Sequence, residues 1–363
     1  MRNRVRAIFR HLKEPVGVVA ISNSTDPHID MSFFYATGLT TGLFEGCSAF
    51  LYKDGRTRFL TSALEEESAR KSRDPVQVFR KREQRQTMMR KALAGARKIG
   101  INASEITHRA FAELRKLAPP KAKFIDVSEA IVQARLVKDR EELRLIRRAC
   151  VIASDAFEEV APKIRPGMRE FEVAADLVHT MQRNGATGAS FRTIVGSGPN
   201  SAEPHYTAGE RRLRRGDFVV IDFGATYRMY VSDITRTIVV GRASKKQREI
   251  YDTVFQAQEA ALGKMRAGLP GKDVDTAARD VIDHSPYKGT FIHGLGHSIG
   301  LAVHDGGGLN QVSTVTLSKD MVFTNEPGIY VSGYGGVRIE DDLLITDGRP
   351  RFLTTATRDL IEV

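Results

Sequence analysis

The sequence predicts two domains: an α/β domain of mixed order, then an α+β domain of long helices packed on an antiparallel sheet. Three observations predict it. The chain has 363 residues with 41% hydrophobic content, room for two cores of ordinary size. Up to about residue 130, short apolar runs alternate with helical patterns. Beyond residue 138, helical stretches several turns long alternate with apolar runs bounded by glycine.

The elements follow in order. PVGVVAIS (15–22) reads as a buried strand. CSAFLYKDGRTRFLTS (47–62) reads as a hairpin with Asp-Gly at its turn. Ser62 is placed to cap a helix over ALEEESARKSR (63–73), with acids in its first turn and bases in its last. PVQVF (75–79) and KIGIN (98–102) read as strands, and ITHRAFAELRKLA (106–118) has helical spacing. Pro119-Pro120 and the short strand KFIDVS (123–128) mark a boundary at residues 119–138. A long helix over residues 139–162 opens the second domain, and IRPGM (164–168) breaks it. Further helices run through residues 169–185, stopping at Gly185, then 244–265 and 272–283. Strand runs occupy 190–198, 217–225, 228–241, 321–331 and 335–346.

Composition narrows the function. No apolar run approaches the ~20 residues a membrane helix needs. The basic N-terminal stretch MRNRVRAIFRHLKEP lacks the apolar core of a secretory signal, so a cytoplasmic location without membrane association is expected. Cys47 and Cys150 are too few for a disulfide framework and badly spaced for a zinc cluster. The net charge of +11 raises nucleic-acid binding. The bases are spread along the chain among acids, as in KDREELRLIRRA, and only Arg211, Arg212, Arg214 and Arg215 cluster. With no Trp for base stacking, a nucleic-acid partner is disfavoured.

The chemistry collects in the C-terminal half. Asp222 lies in FVVIDFG, Asp233 in YVSDITRT, His297 in HGLGHSIG, Glu326 in VFTNEPG and Glu340 in GVRIEDD. A buried carboxylate is costly unless paired, hydrogen-bonded or metal-bound. A hairpin turn centred between Tyr227 and Arg228 would set Asp222 directly opposite Asp233, with Cβ atoms ~4.5–5.5 Å apart. Such a pair suits two cations ~3.5–4 Å apart, the spacing of two-metal hydrolases. The alternative is two acids on a solvated face, which the apolar flanks oppose. In HGLGHSIGLAVHD, His293, His297 and His304 fall among glycines that disfavour a helix. A phosphate loop is the competing reading, but no GK[ST] follows. One histidine with four carboxylates is a hard, oxygen-rich donor set that accepts Mn, Co, Fe or Zn.

These segments, with PHYTAG (204–209), resemble the pita-bread metallopeptidases, the family of methionine aminopeptidase, prolidase and aminopeptidase P. The N-terminal half points to the prolidase and aminopeptidase P branch: SFFYATGL (32–39) is similar to its Tyr-Leu-Thr-Gly segment, and RLVKDREELRLIRRA (135–149) to the start of its catalytic domain. The resemblance implies a C-terminal pita-bread (creatinase/aminopeptidase) α+β domain over residues 135–363 and a smaller creatinase-like α/β domain over 1–134. It implies two divalent ions per subunit, Mn or Co with Zn or Fe as alternatives. Asp233 and Glu340 would bridge both, Asp222 would hold one, and His297 and Glu326 the other. His205 and His304 would steady the amide or the tetrahedral intermediate, and Glu326 would shuttle a proton to the leaving nitrogen. His293 would line the proline side and Arg338 the carboxylate end of the substrate. The implied substrate is a peptide with proline in second position, cleaved at the Xaa–Pro bond by a homodimer.

Some residues depart from the pattern: Ser298 follows the ligand histidine where glycine is common, Ala302 stands where aspartate is frequent, and Asn325 precedes Glu326 in place of an aliphatic residue. Asp305 after His304 is more usual in aminopeptidases P, whereas the chain length suits prolidases. The expected activity is therefore Xaa-Pro dipeptidase, with an aminopeptidase acting on longer peptides as the alternative. A non-catalytic binding module or a metal-free creatinase-like enzyme on the same fold is opposed by the complete set of five ligands.

Overall fold

The computed structural model describes residues 1–72 and 74–363. It divides into two compact units, Met1–Arg135 and Leu136–Val363.

The first unit is built on a six-stranded mixed sheet. Its strands are β1 (Val18–Ser22), β2 (Ser48–Leu51), β3 (Thr57–Ser62), β4 (Val76–Phe79), β5 (Lys98–Ile101) and β6 (Lys123–Asp126), in the order β4-β3-β2-β1-β5-β6. The β1–β2 and β2–β3 pairs are antiparallel; β1–β5, β3–β4 and β5–β6 are parallel. The helices are α1 (Arg2–Arg10), α2 (Met31–Thr37), α3 (Glu66–Ala69), α4 (Arg82–Leu93), α5 (His108–Leu117) and α6 (Ser128–Leu136). Met89, Leu93, Leu114 and Leu117 of α4 and α5 pack with Val18, Phe50, Leu60 and Ile99 of the sheet. Phe33 and Phe34 of α2 meet Phe44 and Phe59 in edge-to-face and tilted contacts. Thr107 starts α5 by accepting the Ala110 N–H.

One predicted element is shorter than expected. Ser62 precedes a single 3₁₀ turn, Ala63–Glu65, with no side-chain cap bond, and α3 then covers only Glu66–Ala69. Glu65, placed to lead a helix, instead accepts the Leu43 and Phe44 N–H groups, so tertiary contacts take the acid that the cap pattern needs. Arg73, the last residue of that expected helix, lies outside the described residues.

In the second unit, α7 (Arg140–Val160) and α8 (Glu170–Arg183) form one helix pair, and α9 (Lys245–Leu262) and α10 (Gly271–Asp283) another. Capping boxes start α7 at Asp139 with Glu142 and α9 at Ser244 with Gln247. Past the end of α8, Gly185 takes φ 104°, which L side chains avoid. The strands are β7 (Gly188–Ala189), β8 (Ile194–Ser197), β9 (Phe218–Phe223), β10 (Ala225–Tyr227), β11 (Tyr230–Val231), β12 (Ile234–Val239), β13 (Gly296–His297), β14 (Gly308–Leu309), β15 (Val322–Asn325), β16 (Gly328–Val331), β17 (Gly335–Arg338), β18 (Asp341–Leu344), β19 (Arg351–Phe352) and β20 (Ile361–Glu362). They form small, mostly antiparallel sheets, the largest in the order β20-β12-β9-β8. Phe157, Val173 and Leu177 of α7 and α8 pack on Ile221, Ile234 and Ile238. Val254, Val274 and Ala278 of α9 and α10 pack with Phe323, Val337 and Leu343. Two helix pairs thus cover the strands that present the acids.

Charge divides unevenly. Residues 1–135 hold 25 of the 55 Lys and Arg but 14 of the 44 Asp and Glu. This unit therefore carries the whole net charge of +11, while residues 136–363 balance at 30 of each sign. The bases are interleaved with acids locally, but their excess is not spread along the chain. In the expected arginine cluster, Arg211 pairs with Asp217 at 2.6 Å and Arg212 donates to Gly167 O at 2.7 Å.

Candidate metal centre

The nine residues singled out from sequence line one cavity of about 630 Å³: Asp222, Asp233, His297, Glu326, Glu340, His205, His293, His304 and Arg338. They arrive from several elements. Asp222 sits on β9, and Asp233 lies just before β12. His297 ends β13, Glu326 follows β15, and Glu340 falls between β17 and β18.

The hairpin register differs from the expected one. Asp222 pairs with Thr235, and the same register continues at Thr226 with Val231. The turn centres between Arg228 and Met229, at φ 49° and 71°. Two left-handed residues make the tight turn that matches strand twist, a conformation usually taken by Asn or Gly. Moving the turn by one residue moves every partner by two. Asp233 is therefore a diagonal neighbour of Asp222 on the same face.

A close approach sets His297. A Cβ on Gly296 would run into the Thr324 carbonyl oxygen, so glycine lets β13 lie against β15. The His297 N–H donates to Thr324 Oγ1 at 3.0 Å, and Nε2 lies 3.6 Å from Asp233 Oδ2 and 3.4 Å from Glu326 Oε1. Asp233, His297 and Glu340 each offer a ligand atom within 4.8 Å of the others.

Hydrogen bonds orient Asp222 and Glu340 and leave one oxygen of each open. Glu340 Oε2 accepts from Thr235 Oγ1 at 2.6 Å, and Asp222 Oδ2 accepts from Arg338 Nη2 at 2.6 Å. Asp222 Oδ1, Asp233 Oδ1 and Glu340 Oε1 are buried with no hydrogen-bond partner. Burial, then the charges of Glu340 and Asp222, pushes the Asp233 carboxyl far above the usual carboxylate range. Burial, then Glu326 and Asp222, does the same to Glu340. Glu326 is pushed up to about 8, chiefly by burial. Burial and the neighbouring His304 pull His297 down to about 4, keeping its ring neutral and its lone pair available. Like charges crowded without solvent, open oxygens and a neutral imidazole are the donor set that a pair of divalent cations satisfies.

Arg338, expected at the substrate's carboxylate end, lines the cavity but is only 3% exposed. Its Nε donates to Thr235 Oγ1, Nη1 to Tyr330 Oη, and Nη2 to Asp222 Oδ2 and Pro204 O. Each of its three nitrogens donates at least once, so its guanidinium also steadies Asp222. Sequence reasoning missed several partners. Tyr330 Oη links Arg338 to His293 Nε2 at 2.8 Å, and Asp342 Oδ2 accepts the Asp233 N–H at 2.9 Å and the Cys150 thiol at 3.2 Å. The buried Asp275 pairs with Arg279, which donates to the carbonyls of Phe291 and His293, while Asp275 accepts the Leu295 N–H. Only the i,i+4 spacing of Asp275 and Arg279 on α10 was a usable signal.

Comparisons with known proteins point to one family. Residues 144–347 match metallopeptidase family M24, and residues 20–137 match the creatinase/prolidase N-terminal domain. A Xaa-Pro dipeptidase of Pyrococcus horikoshii is 41% identical over 368 aligned positions, covering 99% of each chain. The solved prolidase from Pyrococcus horikoshii OT3 superposes with a TM-score of 0.89 at 37% identity, over 99% of this chain and 100% of that one. The X-Pro aminopeptidase from Thermotoga maritima also reaches 0.89, at 33% identity over 96% and 98%. The chain therefore belongs to metallopeptidase family M24, as a peptidase with a pita-bread catalytic domain behind a creatinase-type N-terminal domain.

Proposed function

We propose that this chain is a Xaa-Pro dipeptidase, hydrolysing the bond before proline at a dinuclear centre held by Asp222, Asp233, His297, Glu326 and Glu340. We place the catalytic domain over residues 135–363 and the N-terminal domain over 1–134. The observation that carries the reading is the convergence of three open, buried carboxylate oxygens with a neutral His297 in one cavity. Two divalent cations bound there, Mn or Co in preference to Zn or Fe, supply Lewis-acid polarisation of a carbonyl and make water acidic near neutral pH. The remaining work falls to side chains. Glu326 takes a proton and returns it to the departing proline nitrogen, which leaves poorly as an anion. His205 and His304 face the cavity and serve the amide oxygen. Burial pulls His293 down to about 4, and this neutral ring, tied to Tyr330, forms the wall for the proline. Arg338 and Thr235 each engage one oxygen of Asp222 and Glu340, which would leave the other free to hold a cation.

A second reading, an aminopeptidase acting on longer peptides, is favoured by the equal likeness to the Thermotoga maritima enzyme. Assaying Met-Pro, Xaa-Pro-Xaa tripeptides and an N-terminal methionyl peptide with Mn²⁺ or Co²⁺ separates them. Cleavage of the dipeptide alone supports the proposal, comparable turnover of tripeptides replaces it with the second reading, and no cleavage of either overturns both. The resemblance also implies a homodimer, which light scattering of the purified chain tests.

A further inference from the structure

The excess charge of the N-terminal unit gathers at one concavity. A cavity of about 770 Å³ lies between α4 and α5, closed by the loops around residues 23–25 and 45–46. Arg82, Arg85 and Arg90 line it from α4, Arg109 and Lys116 from α5. Its two acids already have partners. Glu113 pairs with Arg85 at 2.8 Å, and Glu45 accepts the Asp26 N–H at 2.9 Å. Among the described residues, Arg82, Arg90, Arg109 and Lys116 form no ion pair. The first turn of α5 holds no acid but carries His108 and Arg109, the reverse of what the helix dipole favours. Like charges gathered in a concavity repel one another and focus a positive potential outward. An anion relieves that repulsion.

We propose that this cleft binds a small organic bisphosphate. Five cations against two acids leave a net charge of +3, which matches two phosphoryl groups carrying about −1.5 each. Ser24, Thr25 and Gln86 on the wall add neutral hydrogen-bonding groups. The volume suits a ligand of this size, since small-molecule sites span roughly 300–1,000 Å³.

The test is calorimetric titration of the full-length, metal-loaded chain with fructose 1,6-bisphosphate, and with fructose as the neutral match, at low ionic strength. The bisphosphate is expected to bind and fructose is not. Arg109→Gln with Lys116→Gln is expected to weaken binding by about tenfold or more, through loss of charge-assisted contacts, with peptidase turnover unchanged. Lys264→Gln with Arg266→Gln removes two exposed cations from the other unit and is expected to leave affinity intact. Equal weakening by both pairs overturns the proposal, because general charge would then explain it. So does unchanged affinity in the first pair. Binding of a short DNA duplex without binding of the bisphosphate overturns it in favour of a nucleic acid.

Discussion

Residues 136–363 hold equal numbers of acids and bases, yet Asp222, Asp233 and Glu340 are at most 9% exposed and crowd one cavity. Residues 1–135 carry all of the net charge of +11 and leave cations such as Arg82, Arg90 and Arg109 at the surface. The difference teaches where electrostatic repulsion is stored. Exposed cations are partly screened by salt, and a bound anion can relieve the repulsion that remains. Buried carboxylates have no such relief, so they either take protons or recruit cations.

The sharpest way to break this comparison is to delete one buried acid. Asp233→Asn is expected to lower hydrolysis by about 10³-fold or more, on the scale of losing a preorganised electrostatic group. The same variant is expected to melt higher than the parent when both are metal-free, because folding no longer has to bury a carboxyl that must take up a proton among other acids. A lower metal-free Tm would show that the acids are not in conflict.

The second test is pH. Glu326 is protonated up to about pH 8 in the folded chain, but only to about 4.5 when unfolded. Between those values the folded state binds the extra proton, so metal-free stability falls as pH rises, by about 1.4 kcal/mol per pH unit for each such group. Asp342, also raised to about 8 by burial, adds to the slope in the same window. Urea melts in chelator at pH 5.5 and pH 8 measure it, and added Mn²⁺ is expected to flatten the dependence by binding the folded state alone.

The third test loosens the support of the histidine loop. Arg279→Met strands the fully buried Asp275 and is expected to cost about 3–5 kcal/mol in urea unfolding. A smaller effect follows from Tyr330→Phe, which removes the hydroxyl between His293 and Arg338: about 1–2 kcal/mol of stability, with kcat/KM reduced about tenfold. The smallest is Ser244→Ala, expected to cost about 1 kcal/mol through the lost α9 cap with turnover unchanged.

Much of the fold was legible because its signals are local. Asp139 with Glu142 and Ser244 with Gln247 are capping boxes three residues wide, and Gly185 ends α8 by its own backbone freedom. The candidate ligands were legible because acids stand out in apolar strands. Features set by distant partners were not. The Arg228–Met229 turn takes positive φ without a Gly or Asn to announce it. Glu65 abandons its helix for the Leu43 and Phe44 amides some twenty residues away. Tyr330 and Asp342 look like ordinary strand residues until their partners are in place.

By itself the sequence determined the residue types of the candidate metal centre, the starts of α7 and α9 and the two-domain plan, because each depends on chemistry within a few positions. Tertiary structure alone decided that Thr235, not Asp233, faces Asp222 and that Arg338 donates to that acid. It also decided that the unpaired bases meet in one cleft. Those outcomes hang on hydrogen bonds such as Arg338 to Asp222 and Thr235 to Glu340, which join residues more than a hundred positions apart. Their energies exist only once the chain has closed, so no local pattern records them.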